Sequence, residues 1–240
     1  MMHIDDQAIL LKKITSVFLG THDFRQLARD AVYLIVRELR AQSLIAAGIF
    51  RVHEQDNTLF AYAYSTKYRR VTDKLLPRKF SELNLQLNAV DNLTVRAVAT
   101  NQIQQSKRIA DFSRGVLPDA VTDQVQKVLK ARMAMAFPIH SRAGKVAGVL
   151  MAVLGSESIS ASQLELLQTF ADQLGLAFSN VFAFERLMER YQNSAAKNFM
   201  DEANAPSVKF TLRITPSEDK KLEQLSRERG RTKAEVMREL

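Results

Sequence analysis

Apolar residues recur at helical spacing twice near the start of the chain. Ile9, Leu10, Ile14, Val17 and Phe18 predict a helix over roughly residues 5–19, stopped by Gly20. Asp23 then reads as the N-cap of a second helix, whose stripe is Phe24, Leu27, Ala31, Leu34, Ile35 and Leu39. The period changes after that. SLIAAGIFRVH (43–53) predicts a buried strand, EQDN (54–57) a turn, and TLFAYAYS (58–65) its hairpin partner. Residues 66–79 look irregular and basic, with Lys67, Arg69, Arg70, Lys74, Arg78 and Lys79 around Tyr68. FSELNLQL (80–87) alternates and predicts a half-buried strand. A short helix over Leu93–Ala99 follows Asp91 and Asn92, a strand fits within 102–109, and Pro118 opens a helix to about Lys130. ARMAMAFPIH (131–140) and KVAGVLMAVLG (145–155) read as central strands joined by SRAG (141–144). Ser160 caps a long helix with Leu164, Leu167, Phe170, Leu174, Phe178 and Val181 on its apolar side, continuing past Leu187 toward Tyr191. That length exceeds what one domain needs and suggests a dimer seam or connector.

Residues 193–207 lose this periodicity and read as a linker. Order returns at Val208. Val208, Phe210, Leu212 and Ile214 alternate with Lys209, Thr211 and Arg213, so one short strand has an apolar face and a basic face. Thr215-Pro216-Ser217-Glu218 is a capping box with proline at the first helical position. Leu222 and Leu225 supply that helix's core stripe, Gly230 ends it, and a second capping box, Thr232 to Glu235, opens a last helix with Val236 and Leu240 inward. Some 33 residues cannot bury enough surface alone. Pairing with a second copy places the apolar faces together, which makes Phe210, Leu212, Ile214, Leu222, Leu225 and Val236 the expected dimer core.

Composition narrows the chemistry more than the fold. Of 240 residues 46% are hydrophobic and 25% charged, as in ordinary globular chains. No apolar run reaches the roughly 20 residues of a membrane span, and the first residues do not resemble a signal peptide. The chain has no cysteine, which removes disulfides, thiolate metal sites and thiol nucleophiles and fits a reducing, cytoplasmic setting. The net charge of +8 suits a polyanionic partner. His3, His22, His53 and His140 are scattered over different elements without metal-ligand spacing. Phosphate loops, dinucleotide fingerprints and nucleophile elbows are absent, so no catalytic residue, metal or cofactor is expected.

Element order indicates an α+β fold. NLTVRAVATNQ (92–102) followed by Asp111, then AFPIHSRAGKVAGVLMAV (136–153) and the closing helix LELLQTFADQLGLAFSNVFAFERL (164–187), resemble the GAF domain over about 70% of the chain. The resemblance implies an antiparallel sheet with the helices packed on one face and a small-molecule ligand, with His140 at a strand end bordering the ligand side. Bilin attachment and methionine sulfoxide reduction in this family use cysteine, which this chain lacks. Met133, Met135 and Met151 read as core filler. Residues 208–240 are similar to the ribbon-helix-helix family of DNA-binding proteins, though that family carries its last helix a turn or two further than Leu240. The likeness implies base reading by Lys209, Thr211 and Arg213, and phosphate contact at the helix start by Thr232 and Lys233.

The expected organisation is a GAF-like sensory domain at 1–192, a linker at 193–207 and a ribbon-helix-helix-like segment at 208–240. The expected function is a homodimeric, non-enzymatic, DNA-binding transcription regulator that does not engage a membrane. The alternative is a GAF-fold interaction scaffold that uses its C-terminal segment only to dimerise.

Overall fold

The computed structural model describes residues 23–202, 216–230 and 232–233. The chain divides into two compact units, Met1–Glu189 and Arg190–Leu240. The helix expected at 5–19 lies outside the described residues.

In the first unit, helix α1 (Phe24–Glu38) starts where Asp23 Oδ1 accepts a hydrogen bond from the Gln26 backbone N–H at 2.7 Å. Its stripe is fully buried, with Phe24, Leu27, Ala31, Leu34 and Ile35 each at most 4% exposed. Strands β1 (Leu44–His53) and β2 (Thr58–Thr66) form the expected hairpin. Helix α2 (Arg69–Leu75) and a 3₁₀ turn (Phe80–Glu82) lead to β3 (Asn84–Gln86). Two expectations change here. The basic stretch is partly helical, and the strand expected over 80–87 shrinks to three residues, because 80–82 close a turn before the alternating leucines begin.

Helix α3 (Leu93–Thr100), strand β4 (Gln104–Ser106), helix α4 (Ala110–Ser113) and helix α5 (Asp119–Leu129) come next. Strands β5 (Met133–His140) and β6 (Val146–Leu154) then complete the sheet. Its order is β3-β2-β1-β6-β5-β4, antiparallel throughout. Both edges are three-residue strands, which limits unpaired backbone at the rims.

Strand alternation divides the core into two. Met133, Met135, Phe137 and Ile139 of β5 face α1 and the long helix α6 (Ala161–Glu202). Ala134 and Ala136 face the other way, with α3, α4 and α5 over them. The terminal helices therefore share one face as expected, and the shorter helices cover the opposite one. A register shift between Leu44 and Ala46 sends these two β1 residues to different faces although they are two apart.

Helix α6 begins with a reciprocal cap: the Gln163 N–H donates to Ser160 Oγ at 3.2 Å, and the Ser160 N–H donates to Gln163 Oε1 at 3.0 Å. Its middle presses directly on the sheet at Gly175. A Cβ there would stand 1.8 Å from the His140 carbonyl oxygen. The helical backbone continues beyond the expected Tyr191 to Glu202, taking in ten residues of the 193–207 segment. Those residues contain alanines and lysine but no glycine or proline, so small polar composition does not break the helix.

In the second unit, helix α7 (Pro216–Arg229) starts at the expected proline, and Gly230 takes a left-handed φ of 60° after it.

Candidate functional site

On the face covered by the short helices, the sheet and its roof enclose a cavity of about 120 Å³. Its floor is Ala46, Gly48 and Phe50 of β1 with Met151 and Val153 of β6. The roof comes from α5 through Val125 and Leu129, from the α4 region through Ile109 and Phe112, and from Leu76 and Phe80 beyond α2. One water needs roughly 10–15 Å³ of such space, so the chamber has room for a small organic group.

The few hydroxyls lining it are occupied. Thr72 Oγ1 donates to the Arg69 carbonyl at 3.0 Å, Thr122 Oγ1 to the Asp119 carbonyl at 2.9 Å, and Ser113 Oγ to the Ile109 carbonyl at 3.4 Å. Each closes a turn on its own helix. The Tyr64 hydroxyl donates to Asp73 Oδ1 and lies 3.3 Å from Thr72 Oγ1. Burial, with the Asp73 hydrogen bond, pushes its pKa up to about 12, so it stays a neutral donor. A chamber of this kind rewards apolar groups and penalises charge. Among the described residues it brings together no nucleophile–base pair and no metal-ligand set. Among the described residues no three His, Asp or Glu side chains are grouped to hold a metal.

Asn92 fixes one wall. Its Oδ1 accepts from the N–H groups of Thr94 at 2.9 Å and Val95 at 3.3 Å, and its Nδ2 donates to the Arg114 carbonyl at 3.0 Å. This buried side chain ties the start of α3 to the end of α4, where Phe112 and Ser113 line the chamber.

Outside the chamber is an open cleft of about 740 Å³. Arg25 and Arg29 from α1, Arg69 from α2, and Arg78 and Lys79 from the following loop line it, with Asp23 and Asp73 as its acids. Part of the basic stretch of the sequence thus forms one wall of a cavity.

Several residues singled out in the sequence are placed differently. His140 lines neither cavity; its Nε2 is 2.5 Å from Asn101 Oδ1. Met133 and Met135 belong to the helix-facing core, whereas Met151 lines the chamber. Tyr64, Thr72, Leu76 and Phe80 were not singled out at all. Tyr64 and Phe80 fall within the strands expected over 58–65 and 80–87, and Thr72 and Leu76 within the basic stretch, where no local signal marks a cavity wall.

In the second unit Leu225 is half-buried and Thr232 exposed. The Lys233 ammonium donates to Asp219 Oδ1 at 2.8 Å and lies 3.7 Å from Glu223 Oε2. The hydrogen bond to Asp219 raises its pKa. Lys209, Phe210, Thr211, Leu212, Arg213, Ile214 and Val236 lie outside the described residues, as does the side chain of Leu222.

Among the described residues no helix is long and apolar enough to cross a membrane. The first unit thus carries a six-stranded antiparallel sheet with its terminal helices on one face and an apolar chamber on the other. The GAF domain family model matches residues 23–178, and the chain belongs to that family.

Solved structures agree on the fold. The GAF domain of a phosphoenolpyruvate-protein phosphotransferase from Coxiella burnetii is 14% identical, covering 77% of this chain and 97% of that one, with a TM-score of 0.56. A free methionine-R-sulfoxide reductase from Neisseria meningitidis, solved with its substrate, is 14% identical over 74% of this chain and 90% of that one, with a TM-score of 0.53. The phycoerythrobilin-bound GAF domain of a cyanobacterial phytochrome is 15% identical over 75% and 97%, with a TM-score of 0.51. A search of curated proteins finds no match.

Proposed function

We propose that this protein is a homodimeric, DNA-binding transcription regulator whose GAF domain reads a small molecule and whose 208–240 segment reads DNA. The observation that carries this reading is the C-terminal helix arrangement. Helix α7 starts at Pro216 and ends at a left-handed Gly230, and the chain is helical again at Lys233. A helix, a glycine turn and a second helix start are what the latter half of a ribbon-helix-helix unit would contain, and in the sequence they follow an alternating stretch with Lys209, Thr211 and Arg213 on its expected polar side. The net charge of +8 supports a polyanionic partner. Helix α6 is the covalent connection through which ligand occupancy would reach the DNA-binding segment.

One observation favours the scaffold reading instead. Lys233, expected to contact phosphate, is held by Asp219 and Glu223 and would exchange them for DNA.

Selection of DNA from a random pool by the full chain decides between the two. Enrichment of one sequence supports regulation, and Arg213→Ala or Thr211→Ala should then weaken binding to it by about 5- to 150-fold while the dimer persists. Phe210→Asp should abolish dimer and DNA binding together. Wild-type binding by Arg213→Ala would remove the base-reading mechanism.

A further inference from the structure

The apolar chamber and the cationic cleft are neighbours, and three side chains, Tyr64, Leu76 and Phe80, line both. Phe80 packs on Tyr64 with ring centroids 4.7 Å apart and on Phe50 at 5.5 Å. It therefore stands between the greasy floor and the charged rim.

The two spaces favour opposite chemistries. Inside, every lining hydroxyl described above is committed to a neighbouring protein group, so a charge placed there would lose its water and gain nothing. Outside, among the described residues, five cations face two acids. Both acids are already engaged: Asp23 caps Gln26, and Asp73 takes the Tyr64 hydroxyl and lies 3.6 Å from Arg69 Nε. Among the described residues Arg25, Arg29, Arg78 and Lys79 make no ion pair. Among the described residues the cleft thus holds more positive than negative charge, and it shares a wall with an apolar space.

We propose that the domain binds an amphipathic anion, with a carboxylate or phosphate headgroup held among Arg78, Lys79 and the arginines of α1 and its short apolar chain lodged in the chamber. This rests on the sensory reading of the GAF domain and names the ligand class for it. Guanidinium groups suit carboxylates and phosphates equally, because both present paired oxygens to the planar fork. The chain length is set by the chamber, and affinity rises by roughly fourfold per added methylene until the chamber is full.

The test is calorimetric titration of the full chain with hexanoate, octanoate, decanoate, octyl phosphate, octanol and inorganic phosphate. Octanoate or octyl phosphate should bind at least tenfold more tightly than octanol or phosphate alone, and the preferred of the two identifies the headgroup. Arg78→Ala with Lys79→Ala should remove the advantage over octanol and leave octanol binding unchanged. Ala46→Leu, which fills the chamber floor, should weaken every tailed ligand. Where that variant fails to fold, the Arg78 and Lys79 exchange on the surface still decides.

Equal binding of octanol and octanoate would overturn the role of the cleft. Equal binding of phosphate and octyl phosphate would overturn the role of the chamber, and no binding by any of the six would overturn the proposal outright. The regulatory reading is tested separately by adding the bound ligand to the protein–DNA complex. Ligand binding that leaves DNA affinity unchanged sustains the site and defeats the regulation.

Discussion

The guanidinium carbon of Arg51 on β1 lies 4.0 Å from the ring centroid of Phe182 on α6. The same group lies 4.8 Å from the Phe24 ring and donates to Glu185 Oε2 at 3.3 Å. One side chain therefore joins the central strand to both terminal helices. Arg51→Ala should cost about 1–3 kcal/mol, mostly from the aromatic contacts, since Glu185 is partly exposed and screened. Arg51→Lys should recover less than half of that, lacking the planar face. Urea unfolding checks this, with the midpoint falling and the slope unchanged.

Gly175→Ala should destabilise by more than about 2 kcal/mol, although alanine is the better helix former by about 1 kcal/mol. The obstacle is backbone, the His140 carbonyl, and cannot rotate away. A lower melting temperature is expected. A rise would mean that α6 does not press on β5 at this point.

Asn92→Ala should cost about 2–4 kcal/mol, combining a lost helix cap with an unpaired carbonyl at Arg114. Asn92→Asp keeps the cap and loses the donor to Arg114, so it should fall between wild type and alanine. Because the Arg114 tie holds the α4 wall of the chamber, ligand affinity should fall along with stability in both variants.

Burial, and then the nearby Arg51 charge, lower the pKa of His53 from its ordinary 6.5, against weaker opposing effects of Asp56 and Glu185. The unfolded chain therefore takes up the proton more readily than the folded one. The stability this histidine contributes is complete above about pH 6.5 and is lost as pH falls from there toward the lower folded value. His53→Gln, which keeps a polar group near the Tyr62 hydroxyl at 3.1 Å, should flatten the urea midpoint between pH 5.5 and 7.5 relative to wild type. An unchanged slope with pH would assign the effect elsewhere.

Much of the fold is written in local signals. The apolar runs around Met135 and Leu150 announce central strands, and Ser160 with Gln163 marks the start of α6. Asp23 caps α1 as its side chain suggests. The failures are also local in origin. Cations crowd the sequence between Tyr68 and Lys79 and hide α2, whose buried residue is a threonine, Thr72, rather than an apolar stripe. The leucines at 83, 85 and 87 extend an apparent strand back over Phe80, where the chain turns instead.

The chamber is beyond any such reading. Ala46, Phe80, Phe112 and Val125 meet there from four separate segments, and no single helix, strand or turn contains more than one of them.

The floor of that chamber is laid on β1 by Ala46 and Gly48, the smallest residues available, with Ala47 between them turned to the opposite core. Its depth is set by atoms the strand does without, while the backbone beneath stays paired on both sides. Single substitutions at Ala46 or Gly48 would therefore resize the space for a visitor without rethreading the sheet.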